Sequence, residues 1–94
     1  IEHSSRNGIL NQKDLTMATT SVVASDGRGL VNASGAIASV EASSFVDNAS
    51  GGVVNEGTLT LVNTTIAEND GDDGAGFLNT GGTASLNNVT LVTN

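Results

Sequence analysis

The sequence predicts an all-β protein, a β-solenoid of about four turns, on three observations. First, a motif of Gly, two apolar residues and Asn occurs four times, with spacings of 21, 23 and 24 residues; it begins at Gly8, Gly29, Gly52 and Gly76. Second, polar and apolar residues alternate after each Asn, as they do in half-buried strands. Third, no stretch shows helical periodicity. Stacked turns of strands fit this repeat of about 23 residues.

Each repeat divides into three short strands separated by turns. The apolar pair before the Asn predicts the first strand, the alternation seen in Thr58, Leu59, Thr60 and Leu61 predicts the second, and an apolar position four to five residues later predicts the third. Adjacent residues of a strand face opposite sides, so the sequence leaves open which member of each apolar pair faces inward. The predicted inward columns contain Leu15, Met17, Val22, Val40, Phe45, Leu59, Leu61, Ile66, Leu86 and Leu91.

The chain is expected to form one domain, residues 1–94, without a capping element. The predicted turns span residues 8–25, 29–48, 52–69 and 76–94, and residues 1–7 are expected to be an N-terminal lead-in. Stacking of turns places equivalent residues about 4.8 Å apart. Amides at one position can therefore bond to each other from turn to turn. The sequence predicts such an asparagine ladder at Asn11, Asn32, Asn55 and Asn79, and a second one at Ser25, Asn48, Asn69 and Asn94.

Composition excludes several functions. Ten acidic residues against three Lys and Arg give a formal charge of -7, which would repel a phosphate backbone, so we expect no nucleic-acid binding. The chain has no cysteine and no apolar run long enough for a membrane span. Carboxylates and basic groups do not gather in any arrangement suited to catalysis, and His3 has no identifiable partner, so we expect that the protein is not an enzyme.

The segments GGVVNE and GTLTLVNTTIAEN, residues 51–69, resemble the repeats of parallel β-helix proteins of the bacterial polymorphic outer-membrane and autotransporter-like surface class. The resemblance is good in the third and fourth repeats and looser in the first two, where Lys13 and Asp14 replace Gly and Thr. It implies a right-handed parallel β-helix and an extracellular or cell-surface location, and it carries over no catalytic residue.

Two sets of residues are candidate sites, each with a simpler explanation. One set is a cluster of carboxylates at Glu68, Asp70, Asp72 and Asp73. These residues could bind Ca²⁺, the only cofactor that the sequence suggests, or could form a solvated acidic loop. Four Asn-X-Ser/Thr sequons could accept glycans, or could arise by chance in a chain rich in Asn, Ser and Thr. The candidate glycosylation residues are Asn32, Asn48, Asn63 and Asn88.

The functional hypothesis is an extracellular structural protein whose only expected partner is itself. The chain is close to a whole number of turns, so copies could stack head to tail into a homopolymeric filament. The alternative is a fragment of a large surface adhesin or autotransporter-like β-helix. A remote alternative is an ice-binding protein, suggested by two outward hydroxyl columns. One contains Thr16, Ser39, Thr60 and Ser85, and the other contains Ser21, Ser44, Thr65 and Thr90.

Overall fold

The computed structural model describes residues 1–71 and 75–94, and these residues form a β-solenoid of four turns with three strands in each turn and no helix. The strands are β1 (Ile9–Asn11), β2 (Asp14–Ala18), β3 (Ser21–Val23), β4 (Leu30–Asn32), β5 (Ile37–Glu41), β6 (Ser44–Val46), β7 (Val53–Asn55), β8 (Thr58–Val62), β9 (Thr65–Ala67), β10 (Phe77–Asn79), β11 (Thr83–Asn87) and β12 (Thr90–Val92). The predicted fold class is confirmed: the protein is an all-β solenoid with three strands in each turn.

Corresponding strands of successive turns pair in parallel and build three sheets. Sheet 1 contains β1, β4, β7 and β10, sheet 2 contains β2, β5, β8 and β11, and sheet 3 contains β3, β6, β9 and β12. The register joins equivalent residues of the repeat, so that Asn11 pairs with Asn32 and Asn32 with Asn55. Backbone hydrogen bonds therefore run between turns, and each sequence repeat forms one turn.

The structure shows which residue of each apolar pair faces inward. Leu30 and Val53, the first residues of their pairs, are fully buried, whereas Leu10, the second residue of its pair, is 53% exposed. Ile9 and Phe77 likewise pack against the core. Because side chains alternate along a strand, the Asn two positions after each inward residue also points inward.

The predicted inward columns form the core, and burial depends on the turn. Phe45, Leu61 and Ile66 in the middle turns are fully buried. Leu86 pairs with Leu61, and Leu91 pairs with Ile66, but these last-turn residues are 43% and 51% exposed. Their columns are as predicted, and their exposure follows from the position of β11 and β12 at the edges of sheets 2 and 3.

The repeated glycine fills a position where two turns approach closely. A Cβ atom at Gly29 would lie 2.6 Å from the carbonyl oxygen of Gly52 and 3.0 Å from Nδ2 of Asn48. A Cβ at Gly52 would lie 2.6 Å from the carbonyl oxygen of Gly76. Any larger residue would therefore push adjacent turns apart, and this steric limit explains the glycine of the motif.

Residues 1–7, the expected lead-in, include residues that already pair with the solenoid. Glu2 bridges Val23 in parallel, Val23 N donates to Ile1 O at 2.8 Å, and His3 N donates to Val23 O at 3.1 Å. Residues 1–4 thus lie beside β3, where the third strand of a preceding turn would lie. The signal was present in the sequence, since residues 1–8 align without a gap on residues 22–29.

The chain turns two of its corners through single residues in the left-handed conformation. One corner, between sheets 2 and 3, contains Thr19, Ala42, Asn63 and Asn88, with φ values between 49° and 53°. The other follows sheet 3 and contains Ala24, Asp47, Glu68 and Thr93. Asn tolerates this conformation better than Ala or Thr does, so the corner between sheets 2 and 3 is more strained in the first two turns than in the last two.

The substitution Leu61→Asp should lower the free energy of unfolding by about 3 kcal/mol or more, because it places an unpaired carboxylate in a fully buried column. Thermal and urea unfolding followed by circular dichroism would measure the loss. The control, Thr58→Asp, adds the same charge to an exposed position of the same strand and should leave stability nearly unchanged. Equal melting of the two variants would contradict the inward assignment of Leu61.

The substitution Ala42→Gly should raise stability by up to about 1 kcal/mol, because glycine adopts the left-handed conformation at φ 49° without the Cβ penalty. Ala18→Gly, in the extended strand β2, should have the opposite sign. Chemical unfolding of both variants checks the pair, and destabilisation by Ala42→Gly would show that this corner carries no such strain.

Candidate functional site

The first asparagine ladder is a continuous chain of side-chain amides inside the solenoid. Nδ2 of Asn11 donates to Oδ1 of Asn32 at 2.8 Å, Asn32 donates to Asn55 at 2.9 Å, and Asn55 donates to Asn79 at 2.9 Å. The amides of the first three also donate to strand carbonyls of the next turn, at Ile37, Thr58 and Thr83 respectively. The predicted ladder is confirmed.

The second ladder also joins amides from turn to turn, but its amides donate to strand carbonyls of the preceding turn and the first turn lacks an amide. Asn48 donates to Asn69 at 2.9 Å, and Asn69 donates to Asn94 at 3.0 Å. Ser25 occupies the first position, where its backbone N donates to Oδ1 of Asn48 at 3.0 Å. The Ser25 hydroxyl is buried without a hydrogen-bond partner among the described residues. The ladder is thus continuous over three turns and interrupted at Ser25.

The bonds between asparagines share one direction in both ladders, since each of these amides donates to the Asn of the following turn. At one end, Nδ2 of Asn79 donates to Gly82 O in its own turn, at 3.0 Å. At the other end, Oδ1 of Asn11 accepts from Lys13 N at 3.3 Å. The last turn therefore presents amide donors, and the first turn presents an amide acceptor.

The two ends of the solenoid also differ in apolar exposure and charge. We define the C-terminal face as the free edges of β10, β11 and β12 with their inward residues, which are Phe77, Ala84, Leu86 and Leu91. We define the N-terminal face as the free edges of β1 and β2 with their inward residues, which are Ile9, Leu15 and Met17. Residues 76–94 contain no charged side chain, whereas Arg6, Lys13 and Arg28 all lie within residues 1–28. This uncharged last turn was visible in the sequence and was missed there.

Burial separates the four sequons into two pairs. Asn32 and Asn48 are fully buried, and their amides bond within the ladders, so neither can carry a glycan in this fold. The expectation of glycans at Asn32 and Asn48 is therefore corrected. Each is a core residue that happens to lie two positions before a serine. Asn63 and Asn88 are exposed at one corner column, and glycosylation there stays a prediction.

The acidic residues do not assemble into a metal site within the described structure. Glu68 and Asp70 are exposed, while Asp72 and Asp73 lie outside the described residues. Over residues 1–71 and 75–94, no group of three or more His, Cys, Asp or Glu side chains could hold a metal ion. Calcium binding stays a prediction.

The outward hydroxyl column of sheet 2 is in register, as the pairing of Thr16 with Ser39 and of Ser39 with Thr60 shows. The adjacent outward column is irregular, because Asp14 pairs with Ile37, which is 55% exposed. Sheet 2 therefore presents one row of hydroxyls and no repeating two-dimensional array.

No protein-family model matches the sequence, and no curated protein or solved structure is significantly similar to it. The fold and the side-chain geometry therefore carry the functional argument. Among the described residues, no helix is long and apolar enough to cross a membrane.

The substitution Ser25→Asn should extend the second ladder by one turn. Its amide would reach Oδ1 of Asn48 and the carbonyl of Ile1, the position equivalent to the Val22 carbonyl that Asn48 uses. We expect a gain of about 1 kcal/mol in the free energy of unfolding, measured in urea. Ser25→Ala, which removes an unpartnered hydroxyl, is the control and should be nearly neutral; equal effects of both substitutions would contradict the ladder extension.

Proposed function

We propose that the chain is an extracellular structural protein that assembles end to end into filaments. The observation that carries this proposal is the C-terminal face, where Leu86 and Leu91 are 43% and 51% exposed beside three unpaired strand edges. Such edges pair readily with further strands unless charges or a covering element prevent it. A second solenoid turn matches this surface in both hydrogen bonding and apolar columns.

Charge distribution supports association along the solenoid axis. The acidic side chains at Asp14, Glu41, Asp47, Glu56 and Glu68 are exposed, and none of them belongs to the last turn. A second copy can therefore approach the C-terminal face without burying a charge, which would otherwise cost several kcal/mol. A contact between two different faces of the same chain does not close, so it generates a filament.

The extracellular location rests on the resemblance to surface β-helix proteins. Glycans at Asn63 and Asn88 are compatible with it, because both residues are exposed at the corner between sheets 2 and 3. Any glycan there would project from the side of a filament.

The alternative is a module of a large adhesin or autotransporter-like β-helix, in which the turn that covers the C-terminal face belongs to the same polypeptide. The same exposed columns support it. Ice binding has less support, because Asp14 and Ile37 interrupt the face beside the hydroxyl column.

Electron microscopy and sedimentation velocity over a range of concentrations test assembly. We expect filaments with a spacing near 4.8 Å and a subunit repeat of about 19 Å for four turns. Leu86→Asp should abolish assembly without changing monomer melting, because it places a charge on an exposed residue that stacking would bury.

The matched control is Ser85→Asp, which adds the same charge to the neighbouring outward position of β11. It should leave assembly intact. Dispersed monomers of the unmodified chain at all concentrations would contradict the filament and favour the module of a larger protein.

A further inference from the structure

The ladder direction makes the two end faces complementary to each other and not to themselves. In each inner junction of the first ladder, one Asn amide donates both to the next Asn and to the first strand carbonyl of sheet 2 in the next turn, as Asn55 does to Asn79 and Thr83. Asn79 has the same inward position but lacks both acceptors, since among the described residues its amide donates to Gly82 O alone. In the first turn of a following copy, the equivalent acceptors would be Oδ1 of Asn11 and the carbonyl of Asp14.

A core column gives a second, independent indication of direction. Sheet 2 stacks Leu15 on Ala38, Ala38 on Leu59, and Leu59 on Ala84, so large and small side chains alternate. If the first turn of another copy follows Ala84, Leu15 of that copy continues the alternation. Two first turns would place Leu15 against Leu15, and two last turns would leave a gap between two alanines, which native packing density disfavours.

We propose that self-association is strictly head to tail, with Nδ2 of Asn79 in one copy donating to Oδ1 of Asn11 and the carbonyl of Asp14 in the next copy. This inference rests on the proposed function. It adds the direction in which the copies stack and the residues through which they join. Head-to-head contact would set acceptor against acceptor in the first ladder, and tail-to-tail contact would set donor against donor. The joint forms between β10 and β1 and between β11 and β2.

Sheet 3 continues from one copy to the next only after residues 1–4 of the second copy leave their position beside β3. Residues 1–4 lie beside β3, at the position that β12 of the preceding copy takes in a continuous stack. Residues 1–4 are largely exposed and are held by few backbone hydrogen bonds. If β12 of the preceding copy displaces them, it forms similar backbone hydrogen bonds with β3. The first ladder, which has no such competitor, fixes the register of the joint.

Two complementary variants test the polarity. Leu86→Asp blocks the C-terminal face, and Leu15→Asp blocks the N-terminal face; circular dichroism melts establish that both fold. Head-to-tail association predicts that each variant alone sediments as a monomer and that an equimolar mixture forms a heterodimer and nothing larger. Dimers of Leu15→Asp alone would show tail-to-tail contact, and dimers of Leu86→Asp alone would show head-to-head contact; either result overturns the proposal. Failure of the unmodified chain to associate would instead overturn the proposed function.

A ladder variant tests the joint without touching the apolar columns. Asn79→Asp keeps an oxygen that accepts from Asn55 but removes the amide donors, so the monomer should still fold. We expect end-to-end affinity to fall by about tenfold or more, because two hydrogen bonds at the joint are lost. Thr80→Asp adds the same charge to the adjacent exposed residue and should leave affinity unchanged. Equal affinities of the two variants would overturn the assignment of Asn79.

Discussion

In-register stacking of equivalent residues is the constraint on which the rest of the structure depends. In the middle turns, every inward side chain meets the residues at the equivalent position above and below, so a position tolerates only residues that fit those neighbours. An amide can, because it carries both a donor and an acceptor. Serine in the second ladder shows the limit, since the buried Ser25 hydroxyl has no partner in the part of the chain that the structure describes. A carboxylate at the same position would face the acceptor oxygen of the next Asn and would have no hydrogen to donate to it.

The same constraint sets the backbone requirements. Close approach of turns excludes a Cβ at Gly29 and Gly52, while single left-handed residues such as Ala42 and Asn63 keep the corners at constant length. Variation in repeat length is therefore confined to places where the chain leaves the stacked path. The turn from Ala33 to Ala36 is one such place, and Ala36 N closes it by donating to Ala33 O at 3.0 Å.

Much of the architecture could be predicted because each repeat carries the same information four times. The strands, the first ladder and the inward columns follow from matching positions, and a single repeat would have been ambiguous. The orientation of the apolar pairs could not be predicted, since three-residue strands such as Leu30–Asn32 show too little alternation. The burial of Asn32 and Asn48 was missed as a limit on glycosylation, because a sequon is a local pattern and burial depends on neighbouring turns.

The separation of charge between the sides and the C-terminal face would give the proposed filament its axis of association. Natural sheets protect their edges with charged residues or coverings, and here the exposed carboxylates lie on the sides while residues 76–94 carry none. Side-by-side contact between two chains of charge -7 is opposed by repulsion. End-on contact would meet the C-terminal face, whose turn carries no charged side chain and where the Asn79 amide donates within its own turn to Gly82 O. In the proposed filament, this uncharged last turn would favour growth in one dimension.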